Sequence, residues 1–278
     1  MSKLNLSLEV FPPKKQEDFE GAYELLDKLS LLKPDFISVT YGAGGSNSKK
    51  TVDIASYIYN TLHIKTYAHL TCVGNTRENI DAVIEQLKSV GVKNVLALRG
   101  DRPLSMTDEQ YNSREFEYAS ELISYLKEKT DFCIAGACYP EKHFEAKSMD
   151  DDLDALKNKV NLGAESLISQ LFFDNEVFYR FEELVRARGI QVPICAGIMP
   201  ITTSKQLGTT VSLSGSSVPK KLADIIAKYD DTPEDMRKAG IDYAVNQILD
   251  LKNHGCMDIH LYSMNKAKTT TEIYNAIV

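Results

Sequence analysis

The chain has 278 residues, of which 43% are hydrophobic and 26% charged, the composition of a folded globular protein and not of a disordered one. Lys plus Arg number 32 against 39 Asp plus Glu, a formal net charge of −7, and no basic tract stands out, which argues against a nucleic-acid partner. No run of 18 apolar residues offers a membrane span, and the N-terminus, MSKLNLSLEVFPP, lacks the apolar stretch of a signal peptide, so a cytoplasmic location is expected.

In chain order, a β-rich apolar run at 4–11 is followed by a helical period at 19–32, and the alternation then repeats. Strands are expected at 36–41, 65–71, 94–99, 132–139, 166–173, 192–199 and 257–262. The helices between them are expected at 51–62, 77–90, 116–129, 153–162 and 177–188, with Asn75-Thr76 capping the third of the series and Gly91 ending it. The longer gap before the last strand reads as two extra helices, 219–228 and 233–253, and 268–278 as a closing helix. Eight strands alternating with helices imply a parallel sheet. The count and the length favour a closed (β/α)8 barrel over an open doubly wound sheet. The expectation is one catalytic domain over 1–278, with no room after it for a regulatory domain. The five cysteines, Cys72, Cys133, Cys138, Cys195 and Cys256, form no C-x-x-C pair and read as reduced thiols, four of them in or beside apolar runs.

A barrel of this kind carries its chemistry at the C-terminal ends of its strands. Those ends hold Glu9, Thr40, His69, Arg99-Gly100-Asp101, Tyr139 with His143 beyond it, Gln170, and His260-Leu261-Tyr262. Glu9 is the clearest candidate, because Leu-Ser-Leu-Glu-Val-Phe sets a carboxylate among apolar residues. Burial favours its protonated form, which suits a general acid, while the plainer alternative pairs it with a buried cation. His69 and His143 lack the spacing of metal ligands, so no metal is expected. Gly42-Ala43-Gly44-Gly45-Ser46 sits between a strand and a helix, but Asn47 stands where a dinucleotide fingerprint needs its third glycine, which leaves a permissive loop. Lys147, Lys157 and Lys159 can face phosphates or form a solvated helix face. Gln170 in place of a lysine at the end of the sixth strand argues against a Schiff-base aldolase.

Taken in order, Glu9-Val10-Phe11-Pro12-Pro13, Ser38-Val39-Thr40-Tyr41-Gly42-Ala43, Ala68-His69-Leu70-Thr71-Cys72, Ala97-Leu98-Arg99-Gly100-Asp101, Tyr139-Pro140-Glu141 with His143, Glu145-Ala146-Lys147, and Gln170-Leu171-Phe172-Phe173-Asp174 resemble the methylenetetrahydrofolate reductase family. The ordered set spans the first strand to the sixth. The resemblance implies a (β/α)8 barrel that binds FAD and reduces 5,10-methylenetetrahydrofolate to 5-methyltetrahydrofolate with NADH or NADPH by a ping-pong route, supplying methyl groups for methionine synthesis. It implies flavin contacts at Thr40, His69, Arg99, Gly100, Asp101, Tyr139, His143, Asp152 and Lys159, catalytic roles for Glu9 and Asp101, and folate contacts at Glu9, Asp101, Gln170 and Lys266. It also implies a homo-oligomer.

Three positions depart from the family pattern. Lys266 stands where bacterial relatives often carry Arg, keeping the charge but not a bidentate carboxylate contact. Ala155 stands where relatives can carry an Asn that helps hold FAD, and Thr210 falls near a phenylalanine that packs on substrate in some relatives. Two rival readings remain open at this stage. One is a lyase or hydrolase using Glu9 and Asp101 as acid and base. The other is a folate- or flavin-binding subunit fed by an electron-transfer partner, because the chain has no cluster-binding cysteines of its own.

Overall fold

The structure, a computed structural model, describes residues 4–41, 48–103 and 105–278. The loop at 42–46, weighed above as a dinucleotide fingerprint, lies outside the described residues. Eight parallel strands close into a barrel in sequential order: β1 (Asn5–Val10), β2 (Phe36–Val39), β3 (Thr66–Thr71), β4 (Asn94–Leu98), β5 (Cys133–Cys138), β6 (Ser166–Ser169), β7 (Ile194–Ile198) and β8 (Asp258–Tyr262). The closure is the pairing of β1 with β8, in which Ser7 faces His260 and Glu9 faces Tyr262. On its other side β1 sets Glu9 opposite Ser38 of β2.

The α-helices among the described residues are α1 (Phe19–Ser30), α2 (Ser48–Ser56), α3 (Arg77–Ser89), α4 (Asp108–Asn112), α5 (Ala119–Lys129), α6 (Met149–Asn161), α7 (Asn175–Ala187), α8 (Ser204–Ser214), α9 (Lys220–Tyr229), α10 (Pro233–Asn253) and α11 (Ala267–Ile277). Their starts follow from local chemistry. Thr76 accepts from Asn79 N to cap α3, whose Ile80, Val83, Ile84 and Leu87 recur at helical spacing and are buried. Ser148 caps α6 by accepting from Asp151 N, and Asp150, Asp151 and Asp152 then sit in the first turn, where carboxylates favour the helix dipole. That cap starts α6 four residues before the expected 153.

The extra helices between the last two strands are present, and α8 joins them. Its sequence, SKQLGTTVSLS, is rich in Ser and Thr and gives little periodic signal. Thr203 caps its start and Gly215, at φ +72°, ends it. The apolar run expected as a strand over 166–173 leaves the sheet after Ser169. Leu171 and Phe173 instead pack beneath α8, α9 and α10 with Ile201, Leu222 and Met236. The freed carbonyls of Phe172 and Phe173 accept from Gln247 Nε2 (2.9 Å) and the Tyr243 hydroxyl (2.6 Å) of α10, so the backbone is satisfied without a strand partner.

Candidate active site

Strand side chains alternate between the helical layer and the barrel interior. Leu8 and Val10 of β1 join the core under the helices, whereas Ser7 and Glu9 point inward. Low in the barrel, Tyr67, Leu96, Ala135, Ile168 and Cys195 form a separate buried apolar cluster. One layer up, the interior is polar. His260 is fully buried. The Ser7 hydroxyl donates to the Ile259 carbonyl (3.1 Å), so it accepts from His260 Nδ1 (2.8 Å). The Ser38 hydroxyl contacts His260 Nε2 (3.4 Å), so serine hydroxyls meet both ring nitrogens.

Glu9 Oε2 lies 3.6 Å from His69 Nε2 and 3.9 Å from His260 Nε2, and its side chain is 12% exposed. Burial pushes the His69 imidazole down to about 4, outweighing the upward pull of the Glu9 carboxylate, with a smaller downward push from His260. His69 is therefore uncharged at neutral pH, and its approach to Glu9 is not an ion pair. Its Nε2 is buried without a hydrogen-bond partner, an unsatisfied polar atom beside the barrel mouth.

The mouth holds a cavity of about 350 Å³ lined by Glu9, Thr40, His69, Arg99, Gly100, Asp101, Tyr139, His143, Gln170 and Tyr262. A second cavity, of about 570 Å³, lies between the starts of α5 and α6 over the ends of β4 and β5. Leu98, Arg99, Ala137, Tyr139 and His143 line both, so the two form one bent trough of small-molecule size. Asp152, Lys159, Lys147 and Ala155 line the outer limb, whereas Lys157 lines neither. Of the residues expected in the site, all but Lys266 thus meet along the trough. Lys266 starts the turn into α11, and its ammonium donates to Thr202 Oγ1 (3.0 Å). Thr210 is buried on α8, its hydroxyl 3.4 Å from Met199 Sδ.

Several of these side chains are already held. Arg99 makes a two-pronged contact with the Glu145 carboxylate, which keeps the carboxyl below its usual range. Asp152 accepts from the His143 backbone N–H (3.0 Å). Lys159 donates to the Ala137 carbonyl (2.8 Å), and burial lowers its ammonium, partly offset by Asp152. Burial also raises the Tyr139 phenol to about 12. The loop 139–147 is laced by Lys142, a non-glycine residue at φ +72° whose ammonium donates to the carbonyls of His143 (3.1 Å) and Ala146 (2.5 Å). Gly100, at φ +82°, runs so close to β3 that a Cβ would meet Thr71 Cβ at 2.8 Å.

Tyr262, read from the sequence only as a strand-end residue, also lines the trough, as do Ser169 and Glu145, of which no site role is expected. The Tyr262 hydroxyl donates to the Ser169 carbonyl (2.8 Å), passing over the end of β7 between their strands. Its ring fits because Gly197 has no Cβ, which would lie 2.3 Å from Ser169 O and 2.9 Å from the ring. The signals for Tyr262 and Glu145 were in the sequence, in the last strand end and in Glu145-Ala146-Lys147. The segment between α8 and α9 braces the loops after β5 and β6. Ser216 donates to the Leu171 carbonyl (2.8 Å), and Ser217 N to the Glu141 carboxylate (3.0 and 3.1 Å). Among the described residues no three His, Cys, Asp or Glu side chains gather as a metal site, and no helix is long and apolar enough to cross a membrane.

The family model described as methylenetetrahydrofolate reductase matches residues 1–278. The chain is 35% identical over 275 residues to a 5,10-methylenetetrahydrofolate reductase of Pectobacterium carotovorum subsp. carotovorum, covering 99% of this chain and 90% of that protein. It is 34% identical over 275 residues to the Escherichia coli (strain K12) protein of the same name, covering 99% and 91%. Among solved structures, an uncharacterized Clostridium thermocellum protein that binds two copies of 5-methyl-5,6,7,8-tetrahydrofolic acid matches with a TM-score of 0.67 at 16% identity, over 99% of this chain and 94% of that one, a likeness of fold.

Proposed function

The chain belongs to the methylenetetrahydrofolate reductase family, and from that premise we propose that its trough holds FAD and serves the reduction of 5,10-methylenetetrahydrofolate to 5-methyltetrahydrofolate by NADH or NADPH. The observation that carries the reading is the largely buried Glu9 carboxyl at the floor of a bent trough whose outer limb carries Arg99 and Lys159. The residues fit the flavin. The trough is elongated, its cations suit a pyrophosphate, His69 has an unused nitrogen, and Gly100 exposes backbone to the mouth. Bound there, FAD supplies a carrier that takes hydride from the nicotinamide and yields it to the folate carbon.

The chain's own residues do the rest. Arg99 and Lys159 balance phosphate charge, and Asp152 keeps the His143 loop against the cofactor. Thr40, His69, Gly100, Tyr139 and His143 shape the remainder of its seat. Glu9 gives a proton to folate N10, directly or through water. The bond from the methylene carbon to N10 then breaks with its electron pair on nitrogen, leaving an iminium at N5. Hydride addition makes the methyl group, so one hydride and one proton enter per turnover. Asp101 bonds the pterin and keeps negative charge beside the ring site, and Gln170 orients the pterin. Lys266 meets the folate's glutamate carboxylate once it parts from Thr202. Nicotinamide and folate take turns in the mouth, which makes the kinetics ping-pong. We assign the enzyme to the cytoplasm as a homo-oligomer.

The test is the visible spectrum of the purified chain under anaerobic titration. A flavin spectrum that bleaches with NADH and returns with methylenetetrahydrofolate supports both halves of the reading. A flavin that ignores NADH and NADPH but is reoxidised by folate after chemical reduction points to an electron-transfer partner instead. A protein that takes up no FAD overturns the proposal.

A further inference from the structure

We propose that Asn265 is a positioning residue for Glu9, acting through the main chain of Phe11; the inference rests on the reading of Glu9 as the acid. The Glu9 carboxylate is not held by its neighbours. Among the described residues no hydrogen bond reaches its carboxylate, and both imidazole nitrogens near Oε2 stand beyond hydrogen-bond length, at 3.6 and 3.9 Å. Its place is therefore set by the backbone that carries it. That backbone is at the end of its sheet. The β1–β8 ladder stops at Glu9 and Tyr262, and the β1–β2 ladder at Val10 and Val39. Phe11, the next residue, has no strand partner for its N–H and C=O.

The turn between β8 and α11 supplies both. Asn265 Oδ1 accepts from Phe11 N (2.9 Å), and Asn265 Nδ2 donates to Phe11 O (3.0 Å), so one carboxamide pairs with both polar groups of one residue. Beside it, the buried Ser263 hydroxyl donates to the Glu9 carbonyl (2.5 Å) and accepts from Asn265 N (3.2 Å). Glu9 is thus gripped at its own carbonyl and again two residues on.

The turn is strained to do this. Lys266 N donates to Ser263 O (2.9 Å), and the two residues between, Met264 and Asn265, have φ of +50° and +54°. Two successive left-handed residues, neither of them glycine, are uncommon, and such conformations persist where surrounding contacts fix them. Two separate demands meet at position 265. The backbone needs a residue that accepts the left-handed region, which favours Gly, Asn and Asp. The clasp needs a donor and an acceptor on one short planar group, which Gly lacks and an ionised Asp meets only by half. Asn satisfies both.

The test uses the flavin-loaded chain with Asn265→Gly, Asn265→Asp and Glu9→Gln, measured as separate half-reactions by stopped flow. Glycine is the informative change, since it suits the turn while removing the clasp. The expected result for Asn265→Gly is an unchanged or raised thermal midpoint of the flavin-free protein and faster amide hydrogen exchange at Phe11. Flavin reduction by NADH stays within about twofold, while reoxidation by methylenetetrahydrofolate slows by about tenfold to a hundredfold. Asn265→Asp falls between. If reoxidation is slowed in Glu9→Gln but not in Asn265→Gly, the acid reading stands and the positioning role is overturned. If Asn265→Gly lowers both half-reactions together with the thermal midpoint, the clasp is merely structural and the inference fails. If Glu9→Gln itself reoxidises at full rate, the acid reading has failed and the clasp has nothing to position.

Discussion

Low in the barrel, β3, β5 and β6 point Tyr67, Ala135 and Ile168 inward; two residues or more further along, the same strands present His69, Tyr139 and Gln170. The lower layer is an apolar cluster whose upper members, Leu96 and Ile168, form part of the cavity lining. The upper layer carries an unsatisfied imidazole nitrogen and a carboxylate without a hydrogen bond. The difference shows how one strand serves both purposes. Its lower inward residues contribute stability through packing, and its last ones accept an energetic cost in order to meet a ligand.

Substitutions in the two layers should therefore separate activity from stability. The largest effect is expected at Glu9. Glu9→Gln should slow folate-dependent reoxidation by about 10²- to 10⁴-fold while leaving the thermal midpoint in place, measured by stopped flow and calorimetry. Tyr67→Ala, in the lower layer, should do the reverse. It should cost about 3–5 kcal/mol in chemical denaturation and leave the reoxidation rate of the folded protein within a few-fold. If Tyr67→Ala abolishes activity at full stability, the division between layers is wrong.

His69 lies on the border and sharpens the comparison through pH. Its folded value is pushed down to about 4, below that of an exposed histidine near 6.5. Above the higher value both folded and unfolded chains carry it neutral and it contributes nothing. Between the two the unfolded chain takes up the proton and the folded chain does not, so stability is lost as pH falls. The loss approaches about 3 kcal/mol near the folded value. His69→Gln should flatten that part of the stability curve of the flavin-free protein, read from denaturant midpoints across the window. A parallel acid loss in the variant would show that other groups govern it. The smallest effect is expected at Gly197. An added Cβ there must displace both Tyr262 and the Ser169 carbonyl, costing about 1–3 kcal/mol by thermal denaturation.

The sequence makes the upper layer legible wherever a polar residue interrupts an apolar run. Glu9 and His69 stand out for that reason, and the Arg99-Gly100-Asp101 turn because it ends a run. Ser7, Ser38 and His260 are not legible in the same way. Their network exists because β1 meets β8, and the partners lie some 250 positions apart in a register that closing the barrel sets. The Asn265 clasp hides likewise, since it spans 254 positions and depends on two unusual backbone angles. Helix α8 escapes the periodic reading because its Ser and Thr residues compete for backbone bonds, and its two caps decide the matter. Lys266, expected as a folate contact, lines neither part of the trough, and its contact with Thr202 is a matter of tertiary neighbours.

The lacing of the loop 139–147 by Lys142 has a consequence for how the proposed FAD complex assembles. A loop tied to its own carbonyls, and to Asp152 from below, has its shape before any ligand arrives. Little ordering entropy is then left to lose on capture. Reconstitution of the stripped protein should run as a simple bimolecular encounter, its rate climbing in proportion to added FAD, without the plateau that a slow rearrangement imposes.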